Sequence, residues 1–133
     1  MLFASAVEVT HRALATIDLV EREYCANAVK VGDYFMRRLR AFADKFSVVG
    51  DVRGKGLMIG VELVKDRTGK EPAKKLCDAL ITRAYHNGLI LLSCGQSTVR
   101  FMPPLVIDEG DVDEAIALLD QSLTEVMASE HVH

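Results

Sequence analysis

The chain has 133 residues, 50% of them apolar and 26% charged, with 16 Lys+Arg against 19 Asp+Glu for a formal net charge of −3. That is the length of one globular domain, able to bury a core without a disulfide or metal staple. The slightly acidic balance excludes the basic footprint expected of a nucleic-acid or anionic-membrane binder. Cys25, Cys77 and Cys94 are scattered, odd in number and free of any C-x-x-C spacing, which fits a reducing compartment. Met1 to Val9 is mildly apolar but carries Glu8 and has neither a basic n-region nor a cleavage site, so it does not read as a signal peptide. The sequence has no apolar run of the ~18 residues that a membrane span needs. The expected location is the cytoplasm.

The first 46 residues read as helix. Val9, Ala13, Ile17, Val20 and Tyr24 share one stripe at a period of 3.6, and Ala28, Val31, Phe35, Leu39, Phe42 and Phe46 make a second. The polar cluster Glu21-Arg22-Glu23 and the stretch Cys25-Ala26-Asn27 predict a kink or joint near residues 22–26. The pattern changes at Ser47. Val48, Val49 and Val52 are β-branched, and four glycines fall among residues 50–60. Leu57, Ile59, Val61 and Leu63 alternate with Met58, Gly60, Glu62 and Val64, which predicts a strand with one apolar face.

Asp66-Arg67-Thr68-Gly69 reads as a turn. Pro72 suits the first turn of a helix whose buried side is Ala73, Leu76, Leu80 and Ala84, with Asn87-Gly88 as its stop. Leu89 to Leu92 predicts a short strand, Ser93 to Ser97 a connection, and Thr98 to Met102 a second strand ended by Pro103-Pro104. Asp108 is the expected N-cap of a last helix, with Glu109 and Asp111 near its positive end. Val112, Ile116, Leu119, Leu123 and Val126 form the buried stripe of that helix, and Ser129 to His133 is expected to fray. The order is α-α-β-β-α-β-β-α. The fold class expected is α+β, a small, mainly antiparallel sheet with helices packed on one face and the other face partly bare.

Arg100 is the most informative polar residue. Alternation puts Val99 and Phe101 on one face of their strand and Thr98, Arg100 and Met102 on the other. An arginine projecting from the bare face suits a carboxylate, through two parallel charge-assisted hydrogen bonds. The plain alternative is an edge-strand arginine that snorkels or pairs with a nearby glutamate. Gly50-Asp51-Val52-Arg53-Gly54-Lys55-Gly56 is glycine-rich but does not fit G-x-G-x-x-G and leads into a strand. It reads as a close-packing turn rather than a phosphate cradle, which opens a helix. Cys94 lies in a turn with no histidine near it in sequence, although the fold could bring up His11 or His86. An idle thiol is the reading. His131 and His133 make a poor metal pair, and Glu62 reads as solvated or paired.

Four segments together resemble the C-terminal small domain of class-III, pyridoxal-phosphate-dependent aminotransferases. Ala13 to Val20 looks like the helix entering that domain, and Gly50 to Leu63 is similar to its first hairpin. Asn87-Gly88-Leu89-Ile90-Leu91-Leu92 is similar to the next helix end and strand, and Val99-Arg100-Phe101-Met102-Pro103-Pro104-Leu105 to the last strand and its stop. The likeness runs over about residues 13–125. Within the family it resembles 4-aminobutyrate, acetylornithine and ornithine aminotransferases and dialkylglycine decarboxylase.

The resemblance implies that Arg100 binds a substrate carboxylate, that Arg53 and Lys55 are structural, and that an ω-amino acid gives its amino group to 2-oxoglutarate. It implies pyridoxal phosphate in the complete enzyme, with no cofactor expected on this chain alone. The family's cofactor-bearing lysine, pyridine-pairing aspartate and phosphate cup belong to a large domain whose motifs this sequence lacks. Upstream of Arg12, the family's usual Gly-Gly-Asn-Pro stretch is replaced by Phe3 to His11. The expectation is therefore one domain, residues 1–133, cut from a longer enzyme or left by a broken frame, inactive alone. Its partners would be a small carboxylate, the large domain and further copies of itself. Exchange of the N-terminal helix and exposed residues such as Met102 would favour such an oligomer. The alternative expectation is a stand-alone ligand-binding or oligomerisation module that no longer catalyses.

Overall fold

The long helical segment divides into three pieces in a computed structural model that describes residues 4–130. These are α1 (Ala4–Leu19), a π turn (Val20–Tyr24) and α2 (Cys25–Lys45). The joint expected near residues 22–26 is this π turn, which carries one more residue per turn than the helices it joins. On α2 the apolar stripe is buried as its period requires, with Val31, Phe35, Leu39 and Phe42 nearly inaccessible and Phe46 just beyond them. The stripe of α1 is not. Val9 and Ile17 are 60% and 54% exposed, because α1 reaches past the sheet and packs chiefly on the π turn.

The strands are β1 (Val49–Lys55), β2 (Met58–Leu63), β3 (Leu92–Cys94) and β4 (Thr98–Phe101). They form one sheet in the order β1-β2-β4-β3, every pair antiparallel. A register shift lies between Val49 and Asp51. The helix α3 (Lys74–His86) joins α2 against one face, and α4 (Glu109–Glu130) packs on both of these helices. Ile59, Val61, Leu63, Val99 and Phe101 point into that layer, and Phe35 meets Phe101 edge-on with ring centroids 5.1 Å apart. The expected α+β class and element order are those observed. A Cβ on Gly32 of α2 would lie 2.3 Å from the Gly56 carbonyl oxygen, so helix and hairpin turn touch backbone to backbone. Gly56 has φ +56°, which a glycine adopts without strain.

Several boundaries differ from the sequence expectation. The third strand begins at Leu92 instead of Leu89. The Leu89 amide still bonds to Ala84 O at the helix exit, and Leu91 is buried in the core, so this apolar run anchors the chain instead of laddering. Ser93 and Cys94, expected in a connection, pair with Val99 and Thr98, and β4 ends one residue early at Phe101. Pro72 lies two residues before α3 and bridges Val64 instead of opening the helix. The α4 helix runs on through Glu130, where fraying was expected from Ser129. His131, Val132 and His133 lie outside the described residues.

Asp108 caps α4 as expected. Its Oδ1 accepts from the Asp111 amide at 3.0 Å, and Asp111 Oδ2 accepts from the Asp108 amide at 3.0 Å, a reciprocal capping box. At the other end of the layer, Asn87 donates to Ser122 Oγ (3.0 Å) and Glu125 Oε2 (3.2 Å), and Gln121 donates to Glu125 Oε1 (2.9 Å). The Gln121 bond, then that from Asn87, hold the Glu125 carboxyl below its ordinary range. A lowered folded pKa stabilises above the unfolded value of about 4.3 and is lost as pH falls through the folded one. The urea midpoints of the parent and Glu125→Gln should therefore differ at pH 6 and converge as pH approaches 3. A constant gap would mean that the carboxylate charge contributes nothing to stability.

Candidate functional site

The bare face of the sheet can be read off the register, since directly paired residues share a face. Arg53, Gly60, Arg100 and Leu92 form one row across β1-β2-β4-β3, and Asp51, Glu62, Thr98 and Cys94 form the next. Arg53 is salt-bridged to both acids of that neighbouring row, with Nη1 2.9 Å from Asp51 Oδ2 and 2.8 Å from Glu62 Oε2. The Glu62 bond, then the Asp51 bond, raise the Arg53 pKa. Glu62 is thus paired, one of the two states its alternation left open.

Arg100 stands two strands away in the same row. Its strand is interior, flanked by β2 and β3, so it is not an edge-strand arginine. Among the described residues it makes no ion pair, and its Nε is buried without a hydrogen-bond partner. Val99 and Phe101 face the helices, as alternation predicted. Arg100 lines a cavity of 380 Å³ together with Leu89, Ile90, Leu92, Pro103, Pro104 and one acid, Asp111. The other walls are apolar, which lowers the local dielectric and strengthens a pair made with the guanidinium. The surrounding surface is apolar too, with Met58, Ile90, Leu92 and Met102 all largely exposed.

The model of the class-III aminotransferase family matches residues 4–123. The chain belongs to the class-III aminotransferases. The match reaches back to residue 4, through the segment that departs from the family's usual Gly-Gly-Asn-Pro and was expected to fall outside it. Helix α1 covers this segment, so helical continuity extends the likeness where the motif stops. A leucine/methionine racemase of Thermococcus litoralis is 41% identical over 115 residues, covering 86% of this chain and 26% of its own length. The 5-aminovalerate aminotransferase of Pseudomonas aeruginosa is 34% identical over 86% of this chain and 28% of its own length. A solved transaminase structure with L-Ala superposes at TM-score 0.80, with 37% identity over 88% of this chain and 28% of that one. The chain thus spans about a quarter of the length of the relatives it matches.

Complete class-III aminotransferases use pyridoxal phosphate, and the described residues of this chain do not make a seat for it. The glycine turn is filled by the protein itself. The space by Gly54 is taken by the Met58 and Ile59 backbone, and Gly56 itself packs on Gly32 of α2. All seven lysines are exposed, Lys55 among them, and Lys45, Lys65 and Lys74 are in ion pairs. None sits in the desolvated pocket that a cofactor-bearing lysine needs.

Cys94 is exposed at the end of β3, and neither His11 nor His86 hydrogen-bonds it among the described residues. Cys77 is buried, and burial raises its thiol pKa. Sequence reasoning missed Asn27. Its side-chain amide donates to Leu105 O (2.7 Å) and Ile107 O (3.0 Å), in the loop that follows Arg100 and its two prolines. The only sequence signal was a polar residue beside the helix joint.

Proposed function

We propose that the chain is the C-terminal small domain of an aminotransferase that moves the amino group of an ω-amino acid to 2-oxoglutarate, with Arg100 holding a substrate carboxylate. One observation carries the reading: Arg100 presents an unpaired guanidinium on the bare face while Arg53 occupies both neighbouring acids. A bidentate pair with Arg100 would fix one end of the substrate and so the distance from which its reacting carbon is presented. Arg53 keeps Asp51 and Glu62 from competing with that carboxylate. The pyridoxal phosphate of the complete enzyme supplies the electron sink that lets an amino group leave its carbon. The large domain that seats it is the partner of this chain, and the apolar surface around Met58 and Met102 favours further copies in an oligomer. The isolated chain should not transaminate.

The relatives that are a 5-aminovalerate aminotransferase and a taurine–pyruvate aminotransferase support transfer from an ω-amino group. Two others, a leucine/methionine racemase and an alanine/serine racemase at 41% and 36% identity, favour a second reading in which the amine stays on its carbon. Incubating the complete enzyme with 4-aminobutyrate and 2-oxoglutarate separates them. One glutamate should form for each donor consumed. Inversion of an α-amino acid without keto-acid consumption would replace the first reading with the second. Carboxylate binding with neither reaction would leave a non-catalytic module.

A further inference from the structure

We infer that Asn27 is a positioning residue for Arg100, a role that rests on the carboxylate reading above. One side-chain amide at the start of α2 uses both N–H donors on a single loop, at Leu105 O and Ile107 O. The Ile107 amide closes back on Pro104 O at 3.3 Å, so the loop is a small ring laced to the helix. Pro103, Pro104 and Ile107 are also walls of the cavity that Arg100 borders.

The coupling is mechanical. Between Arg100 and Leu105 lie Phe101, fixed in the core, then Met102, Pro103 and Pro104. Each proline has its φ locked near −65°, which removes two of the soft torsions that could absorb a displacement. A loop freed at Leu105 therefore shifts the proline walls of the cavity that Arg100 lines. The Arg100 Nε is buried without a partner, so its access to solvent reports such a shift. Asn27 is the third residue of α2, within one turn of the end of the π turn, so the loop after β4 is tied close to the helix joint.

The test is solvent exchange of the Arg100 Nε–H proton by NMR on the whole chain, in the parent, Asn27→Ala and Asn27→Asp. Aspartate keeps the shape of asparagine and removes the donors, so it guards against a general packing loss in the alanine variant. Nε–H exchange should accelerate about tenfold in both, roughly the effect of losing a net hydrogen bond's worth of local stability. Amides buried in α2, such as that of Leu39, should keep the parent rate. Unchanged Nε–H exchange in a folded Asn27→Asp chain overturns the proposal, and so does equal acceleration at Leu39, which would mean global loosening. The underlying reading is checked apart from this, by titrating 2-oxoglutarate into the parent and Arg100→Lys chains. Equal response there removes the carboxylate role from Arg100 and with it the purpose of the strap, even where the exchange result is positive.

Discussion

Gly32→Ala should lower the unfolding free energy by about 2 kcal/mol or more, in the range for overpacking a tight core. Helix propensity alone points the other way, since alanine is favoured over glycine by about 1 kcal/mol inside a helix. The difference lies in what the new methyl group meets. Its carbon would lie 2.3 Å from Gly56 O, 2.5 Å from Gly56 C and 2.8 Å from Gly56 Cα. All three are backbone atoms, so no side chain can swing aside. Relief requires the β1–β2 turn to lift from α2, and that turn leads directly into the strand carrying Ile59 and Val61. Urea unfolding followed by circular dichroism measures the outcome. A midpoint equal to or above the parent's would mean that turn and helix separate at little cost. The contact also explains two glycines of the run, Gly54 and Gly56, which bring backbone against backbone, whereas Gly50 makes room for the Val64 side chain.

The division between α1 and α2 marks the limit of periodicity as evidence. Both segments carry an apolar stripe at the same spacing, yet only that of α2 is buried. A stripe says which side of a helix seeks cover, and the covering surface must come from elsewhere. For α2, the sheet and α4 supply it. For α1, the chain's own core supplies none. The third strand failed for a related reason. Leu89 to Leu92 reads as a ladder by composition, but Leu91 is spent on the core and the backbone pairs only from Leu92. Short apolar runs do not distinguish a strand from an anchor. The α4 cap was legible because its chemistry is local, with Asp108 and Asp111 three residues apart.

The site was legible to the extent that it depends on alternation. The placement of Arg100 on the bare face follows from Val99 and Phe101 being core residues, which composition made plain. What alternation could not supply was the partner list. Glu62 lay near enough in the sheet to neutralise Arg100, and only the register shows Arg53 taking it instead. The Asn27 bonds span 78 and 80 residues, and nothing local in either segment encodes such a contact.

Arg100→Lys in the complete enzyme should cut kcat/KM for the substrate bound through its carboxylate by roughly 10- to 150-fold, equivalent to ~1.5–3 kcal/mol for a charged hydrogen-bonded contact. Lysine keeps the charge, so long-range attraction survives. It loses the planar fork, and an ammonium is more strongly hydrated than a guanidinium in the apolar setting of Leu92 and Met102. Arg100→Ala should lose more. The loss should fall on KM where the contact is equally strong in the bound and reacting states, and on kcat where it orients the reacting carbon. A primary amine without a carboxylate, tested as donor in single turnover, should react with both variants within about twofold of the parent, since the pair it never made cannot be missed. Equal loss with both donors would mean that the substitution damages the fold, and no loss with either would remove Arg100 from substrate binding.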